Sequence, residues 1–376
     1  MTHNPLQQLG TLRQSVWIDY IRRDFISSGT LQQLIAQDGL RGMTSNPAIF
    51  EKAIVESQEY ETDIQSMAQS GMQAQAIYET LSQRDVQQAA DQFKPVYEAT
   101  AGLDGYVSLE VNPHLAHDTR GTIEEARRLK AALNRPNVFI KVPATDEGLP
   151  AITELISEGI NINVTLLFGL PRYRQVAQAY CAGLESRLAA GGDISRIASV
   201  ASFFVSRLDT SIDPQLSRCI RHGGHSAVSA SKALGQTAVA SAVMAYQMYK
   251  EIFMAENFKK LIDKGAHPQR LLWASTGTKN PYYSDVKYVE ELIAPDTVNT
   301  MPLETLNAYR DHGVPMVRIE HDVAGARTIL DSLATLGISI DVVTQELEDE
   351  GVEKFKIPFD KIMKALALPP QEKINP

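Results

Sequence analysis

Short, continuous apolar runs recur along the chain between longer stretches with helical spacing. Eight have strand length: SVWIDYI from Ser15, GMTSNPAIF from Gly42, YVSLEV from Tyr106, NVFIKVPA from Asn137, INVTLLF from Ile162, IASVASFFV from Ile197, RLLWAST from Arg270 and DTVNTMP from Asp296. Most lack strict apolar–polar alternation, as expected for parallel strands covered on both faces. Between them the apolar residues follow a 3.6-residue period. TIEEARRLKAALN from Thr122 shows it, with Thr122 as a cap and acids behind it, as do Glu154–Glu158, Arg172–Leu188 and a long stretch over Ala227–Lys260. On that last stretch Tyr246, Tyr249, Met244 and Met248 form a packing face. Regular strand–helix alternation means βαβ crossovers and a parallel sheet, and eight strands favour closure into a barrel.

The pattern therefore predicts an α/β protein, a (β/α)8 TIM barrel built as one domain over residues 1–376. Two connections are overlong, at Glu51–Asp104 and Leu208–Gln269, and are expected to hold helical insertions. The region from Leu303 to Leu366 is expected to be mostly helical, and PPQEKINP at the end a loose tail. No internal repeat or low-complexity tract interrupts this plan.

Composition narrows the function classes. With 36 Lys+Arg against 45 Asp+Glu the net charge is −9, which argues against nucleic acid or an anionic membrane as the main partner. No apolar run approaches the roughly 20 residues of a membrane helix. The opening MTHNPLQQLG lacks the basic and apolar segments of a signal peptide, and only two cysteines occur, Cys181 and Cys219. A cytoplasmic protein with reduced thiols is expected. His114 with His117, and Cys219 with His222 and His225, are loosely metal-like, but no HExxH or CxxC supports them and no metal is expected. Without GxGxxG or GxSxG, dinucleotide and serine-hydrolase readings lose their anchor.

Three charges break the apolar runs. Lys141 lies inside NVFIKVPA, where alternation puts it on one face with Phe139. A barrel's outer strand face is covered by helices, so the lysine belongs inside. A buried amine favours its neutral form, the form that attacks a carbonyl to give a Schiff base. Asp19 interrupts VWIDYI and Glu110 ends the strand part of YVSLEV, so two carboxylates could meet the lysine as proton-transfer groups. A structural ion-pair network accounts for the same three residues, and the pattern alone leaves both readings open. Asn46, Asn163, Thr165 and Ser202 add polar groups at strand ends, where they could hold hydroxyls or a water, although Asn46-Pro47 also reads as a turn. Arg207 follows the sixth run, and Lys279 lies in WASTGTKNP after the seventh. Barrel enzymes often bind phosphate beside their last strands.

Taken in order, GMTSNPAIFEKAI, SLEVNP, FIKVPAT, NINVTLLF and SFFVSRLD resemble the transaldolase family, and the STGTKNP loop is similar to its longer bacterial branch. The resemblance runs from about Trp17 through that loop. It implies a (β/α)8 barrel, circularly permuted relative to other class I aldolases, with no metal or organic cofactor. It implies transfer of a dihydroxyacetone unit from sedoheptulose 7-phosphate to glyceraldehyde 3-phosphate, giving erythrose 4-phosphate and fructose 6-phosphate in the pentose phosphate pathway. Lys141 would then be the Schiff-base nucleophile, Glu110 with Thr165 would hold a proton-shuttling water, and Asp19 would be the acid/base at cleavage. Asn46, Asn163 and Ser202 would hold hydroxyls and Arg207 the phosphate. The best-known branch has SPFVGR where this chain has SFFVSR, and an arginine in the last loop where this chain offers Ser275 and Lys279. Sugar phosphates are the expected partners of a monomer or homodimer. The alternatives are a fructose 6-phosphate aldolase-like enzyme that releases dihydroxyacetone, and a non-catalytic sugar-phosphate-binding barrel.

Overall fold

The computed structural model describes residues 4–367; the expected loose tail lies outside them. All eight expected strands are present: β1 Gln14–Asp19, β2 Gly42–Thr44, β3 Tyr106–Glu110, β4 Val138–Pro143, β5 Ile162–Leu167, β6 Ser199–Phe204, β7 Arg270–Ala274 and β8 Thr297–Met301. They pair in chain order, all parallel, and β8 returns to β1 to close the barrel. Helices follow the strands as βαβ crossovers require.

The interior face is fixed by its aromatic layer. Trp17 on β1 stacks on Phe139 of β4, with ring centroids 6.1 Å apart, and Tyr106 of β3 lies 4.2 Å from the same ring. β1 and β4 are three strands apart around the wall, so these rings can meet only inside. Lys141, two residues beyond Phe139, therefore also points inward. Gly42 makes room for the layer: a Cβ there would come within 2.5 Å of the Trp17 ring. Below, at the N-terminal ends of the strands, Arg270 is buried and donates to Asp104 Oδ1 at 3.1 Å, Ser15 Oγ at 2.6 Å and the carbonyls of Thr297 and Leu103. Asp104 in turn accepts from Ser15 Oγ and Trp17 Nε1.

Several expected boundaries are corrected. The GMTSNPAIF run is strand only to Thr44, because Asn46 caps a helix over Pro47–Val55, its side chain accepting from the Ile49 N–H at 3.1 Å. Proline at the first helical position suits that start. The helix holding TIEEARRLKAALN begins earlier, at Thr119, capped by Asp118 rather than Thr122, and ends at Leu133 before the left-handed Asn134. The stretch over Ala227–Lys260 is three helices, His225–Ala233, Thr237–Phe253 and Glu256–Ile262, turned at Gly235 (φ +68°) and at the extended Ala255. Tyr246 and Tyr249 stack as part of the buried packing face.

The C-terminal region supplies helices Leu303–His312, Val323–Thr335 and Ile340–Ala367. The last packs along helices Pro47–Val55 and Ala74–Ala99 and reaches the C-terminal end of the barrel. Gly351 permits the approach, since a Cβ there would lie 2.9 Å from the Leu166 side chain. Arg172 and Glu348, both largely buried, pair at 3.1 Å and tie this helix to the one after β5. No single helix among the described residues is long and apolar enough to cross a membrane, and the last two, which jointly have the length, meet at 91°.

Candidate active site

A cleft of about 580 Å3 opens at the C-terminal ends of the strands. Eight of the ten candidate residues line it: Asp19, Asn46, Lys141, Thr165, Ser202, Arg207, Ser275 and Lys279. Lys141 is buried at its floor, its Nζ donating to the Ser45 carbonyl at 2.9 Å and lying 3.6 Å from Glu110 Oε2. That second distance is an ion pair without a hydrogen bond.

Glu110 does not line the cleft; it borders a small adjoining cavity between β3 and the helices Pro47–Val55 and Ala74–Ala99. Both its carboxylate oxygens are buried without a hydrogen-bond partner among the described residues. Burial pushes its pKa up to about 7, an effect the Lys141 charge partly offsets and the Asp19 charge reinforces. The Thr165 hydroxyl is likewise buried and unpartnered. It sits on an irregular strand: the β5–β6 register shifts between Val164 and Leu167, and Leu166 has φ +56°. A leucine there is strained by about 1–2 kcal/mol.

Asp19 touches the cleft, but protein encloses it elsewhere, and that burial raises its pKa against the opposing charges of Lys141, Arg207 and Lys279. Thr44 Oγ1 donates to Asp19 Oδ1 at 2.6 Å, which leaves Thr300 Oγ1 as donor in its 2.8 Å contact with Thr44. Asn163 lies one layer below the cleft, donating to Ser108 Oγ at 3.0 Å and accepting from Ser202 Oγ at 2.7 Å. Both ends of its amide are occupied by the protein, so it orients Ser202.

The far wall is cationic. Arg207 opens the helix Ser206–His222, its guanidinium 5.4 Å from the Phe204 ring centroid and without a hydrogen bond among the described residues. Burial lowers its pKa, against the Asp19 and Glu350 charges. Ser275, at φ +56°, is held by Ser206, whose N–H donates to the Ser275 carbonyl at 3.1 Å and whose hydroxyl lies 3.0 Å from its hydroxyl. Lys279 is exposed on the rim.

Sequence reasoning missed Thr44, Thr300 and Phe355. Phe355, from helix Ile340–Ala367, is buried over the lysine, its ring centroid 5.9 Å from Lys141 Nζ. Thr44 stands in the MTSNP motif beside Asn46, a signal that was available. The metal-like residues disperse: His114 pairs with Asp360, His117 with Glu147, and His222 contacts the Arg218 carbonyl. No group of three or more His, Cys, Asp or Glu among the described residues could hold a metal ion.

Together these features define a (β/α)8-barrel protein with a buried lysine–carboxylate pair at the C-terminal face, the face on which barrel enzymes carry their active sites. The family model for transaldolase/fructose-6-phosphate aldolase matches residues 16–366. Among relatives, a protein named transaldolase 2 from Nostoc punctiforme is 48% identical over 371 residues, covering 97% of each chain. The transaldolase of Trichodesmium erythraeum is 47% identical over 97% of each chain. That of Thermobifida fusca is 48% identical over 97% of this chain and 98% of its own. The chain belongs to the transaldolase/fructose-6-phosphate aldolase family.

Proposed function

We propose that this protein is a transaldolase that moves a dihydroxyacetone unit from sedoheptulose 7-phosphate to glyceraldehyde 3-phosphate through an imine on Lys141. One observation carries the reading. Lys141 Nζ stands 3.6 Å from a carboxylate whose two oxygens have no hydrogen bonds, both groups deep inside the barrel. Buried polar groups are nearly always satisfied, and a buried carboxylate of raised pKa with no hydrogen bond, set beside a buried amine, is fitted for proton transfer.

The neutral Lys141 amine attacks the ketose carbonyl carbon, and the oxygen takes up a proton to give a carbinolamine. Loss of that oxygen as water leaves a protonated imine. Glu110, with a pKa near neutrality, exchanges these protons through a water that the unpartnered Thr165 hydroxyl also holds. Asp19 takes the proton from the hydroxyl two carbons beyond the imine. The C–C bond breaks, its electron pair flows into the imine nitrogen as an enamine, and the aldose leaves. The acceptor aldehyde then reacts in reverse: the enamine carbon forms the new bond, Asp19 returns its proton to the new hydroxyl, and water releases the product from Lys141.

The Asn46 amide, with its oxygen occupied by the cap, has N–H groups free for substrate hydroxyls, and Ser202 is oriented by Asn163. Arg207, Ser275 and Lys279 take the phosphate, Arg207 by a fork of donors and Lys279 as a point charge. Phe355 covers the imine site and limits the water that would hydrolyse the enamine stage, which favours transfer over release of dihydroxyacetone. A cytoplasmic location fits the sugar-phosphate substrates and the free thiols of Cys181 and Cys219.

Borohydride trapping with fructose 6-phosphate, read by peptide mass spectrometry, tests this directly. A reduced dihydroxyacetone adduct is expected on Lys141. Folded protein without any adduct there, at saturating substrate, would overturn the mechanism.

A further inference from the structure

The two phosphate-facing cations come from separate elements. Arg207 opens the helix Ser206–His222, whereas Lys279 lies in the long connection between β7 and β8. Two Tyr–Asp bonds, one buried and one partly buried, hold these elements together. Tyr288 Oη donates to Asp209 Oδ2 at 2.8 Å, and Tyr283 Oη donates to Asp213 Oδ2 at 2.7 Å. Asp209 and Asp213 stand one turn apart on the Arg207 helix, so both face the same neighbour. The second oxygen of each carboxylate is also used: Ala238 N–H donates to Asp209 Oδ1 at 2.7 Å and Gly235 N–H to Asp213 Oδ1 at 2.8 Å. The chain around Gly235 thus pins both aspartates from the other side. The fit is close, since a Cβ on Gly235 would come within 2.6 Å of Tyr283 Oη.

None of these groups reaches the cleft, yet Asp209 lies two residues from Arg207 and Tyr283 four from Lys279, both of which do. Long loops are ordinarily the mobile parts of a barrel. A point charge on an exposed lysine is effective only where its loop is held.

We propose that the Tyr283–Asp213 and Tyr288–Asp209 bonds are a positioning device for phosphate, fixing the Lys279 loop at a set distance from Arg207 so that the anion meets both cations already in place. This rests on the assignment of phosphate to Arg207, Ser275 and Lys279. The tyrosines are positioning residues and touch no substrate.

The test uses inorganic phosphate as a competitive inhibitor of transfer, with borohydride trapping of phosphate-free dihydroxyacetone alongside. Tyr283→Phe and Tyr288→Phe, singly and together, are expected to weaken phosphate inhibition and raise KM for fructose 6-phosphate by roughly three- to tenfold. In these variants kcat stays within about twofold and dihydroxyacetone trapping is unchanged. In a Lys279→Ala background, Tyr283→Phe adds nothing further. Tyr283→Phe removes only a hydroxyl from a half-exposed ring, so it keeps the test open should the double variant fail to fold. Unchanged phosphate inhibition in folded variants would overturn the proposal, as would parallel losses in phosphate binding and dihydroxyacetone trapping. If Arg207→Ala and Lys279→Ala themselves leave phosphate inhibition intact, the phosphate assignment fails first and the proposal with it.

Discussion

The barrel buries an ion pair at each end, and the two are built on opposite principles. At the N-terminal end Arg270 and Asp104 meet at 3.1 Å, and Ser15, Trp17 and backbone carbonyls take up the remaining donors and acceptors. At the C-terminal end Lys141 and Glu110 stand 3.6 Å apart, and neither Glu110 oxygen has a hydrogen bond among the described residues. Burying charge is costly in both places. A saturated pair holds three strands and a loop in register. An unsaturated pair keeps its carboxylate able to accept or release a proton. Burial alone therefore does not identify a reactive site, and neither does a missing partner, since the Gln14 and Gln269 amide oxygens are also buried without one; an unpartnered carboxylate beside a buried lysine does.

The largest expected effect separates the pairs outright. Lys141→Ala should abolish transfer, by a factor on the order of 10^4 or more in kcat/KM, and should lose less stability than the other pair does, because Glu110, its pKa already raised to about 7, takes up a proton when its cation is removed. Arg270→Met should do the reverse, leaving Asp104 buried and unpaired at a cost of about 3–5 kcal/mol while kcat per folded molecule is kept. Paired denaturation and kinetic measurements check both. If Arg270→Met lost turnover without losing stability, the division of labour would be wrong.

Glu110→Gln should lower kcat by roughly 10²–10⁴ and remove the acid limb of kcat/KM near pH 7. The same variant carries a stability signature. The folded pKa of about 7 lies above the ordinary 4.5, so between those values the folded protein holds a proton that the unfolded chain has released. Wild-type stability therefore falls as pH rises through that window. The variant should melt higher than wild type above pH 7, and the advantage should vanish toward pH 4.5. Equal melting temperatures across this range would mean that Glu110 is not strained by its burial.

Thr300→Val is the smallest of these perturbations. It removes the donor behind Thr44, which itself donates to Asp19. A loss of roughly three- to tenfold in kcat is expected, matching one hydrogen bond of about 1 kcal/mol. A larger loss would put Asp19 among groups whose satisfaction matters as much as at the saturated end.

The barrel was legible because its signal is local: eight apolar runs at strand length, alternating with helical spacing. Lys141 was legible too, since parity with Phe139 decides its face once the barrel is granted. What escaped depends on contacts between distant residues or on backbone conformation. Asn46-Pro47 carried a helix-start signal, but Ala48, Ile49 and Phe50 behind it imitate a strand, and the cap bond decides between them. Asn163 has the right parity for the site, yet its depth and its bonds to Ser108 and Ser202 belong to β3 and β6. Phe355 reads as an ordinary apolar residue of an amphipathic helix. Only packing turns it toward a lysine more than 200 positions earlier.

That last contact has a consequence for how the protein is made. The final barrel strand ends at Met301, whereas the helix bearing Phe355 begins at Ile340. A chain growing from its N-terminus thus has the wall and its lysine synthesised before the roof helix is made. Until the roof docks, the amine is open to any passing carbonyl, and the apolar surface beneath the helix is open to solvent. Docking of the last helix is therefore the step that covers both the amine and the apolar surface under Phe355.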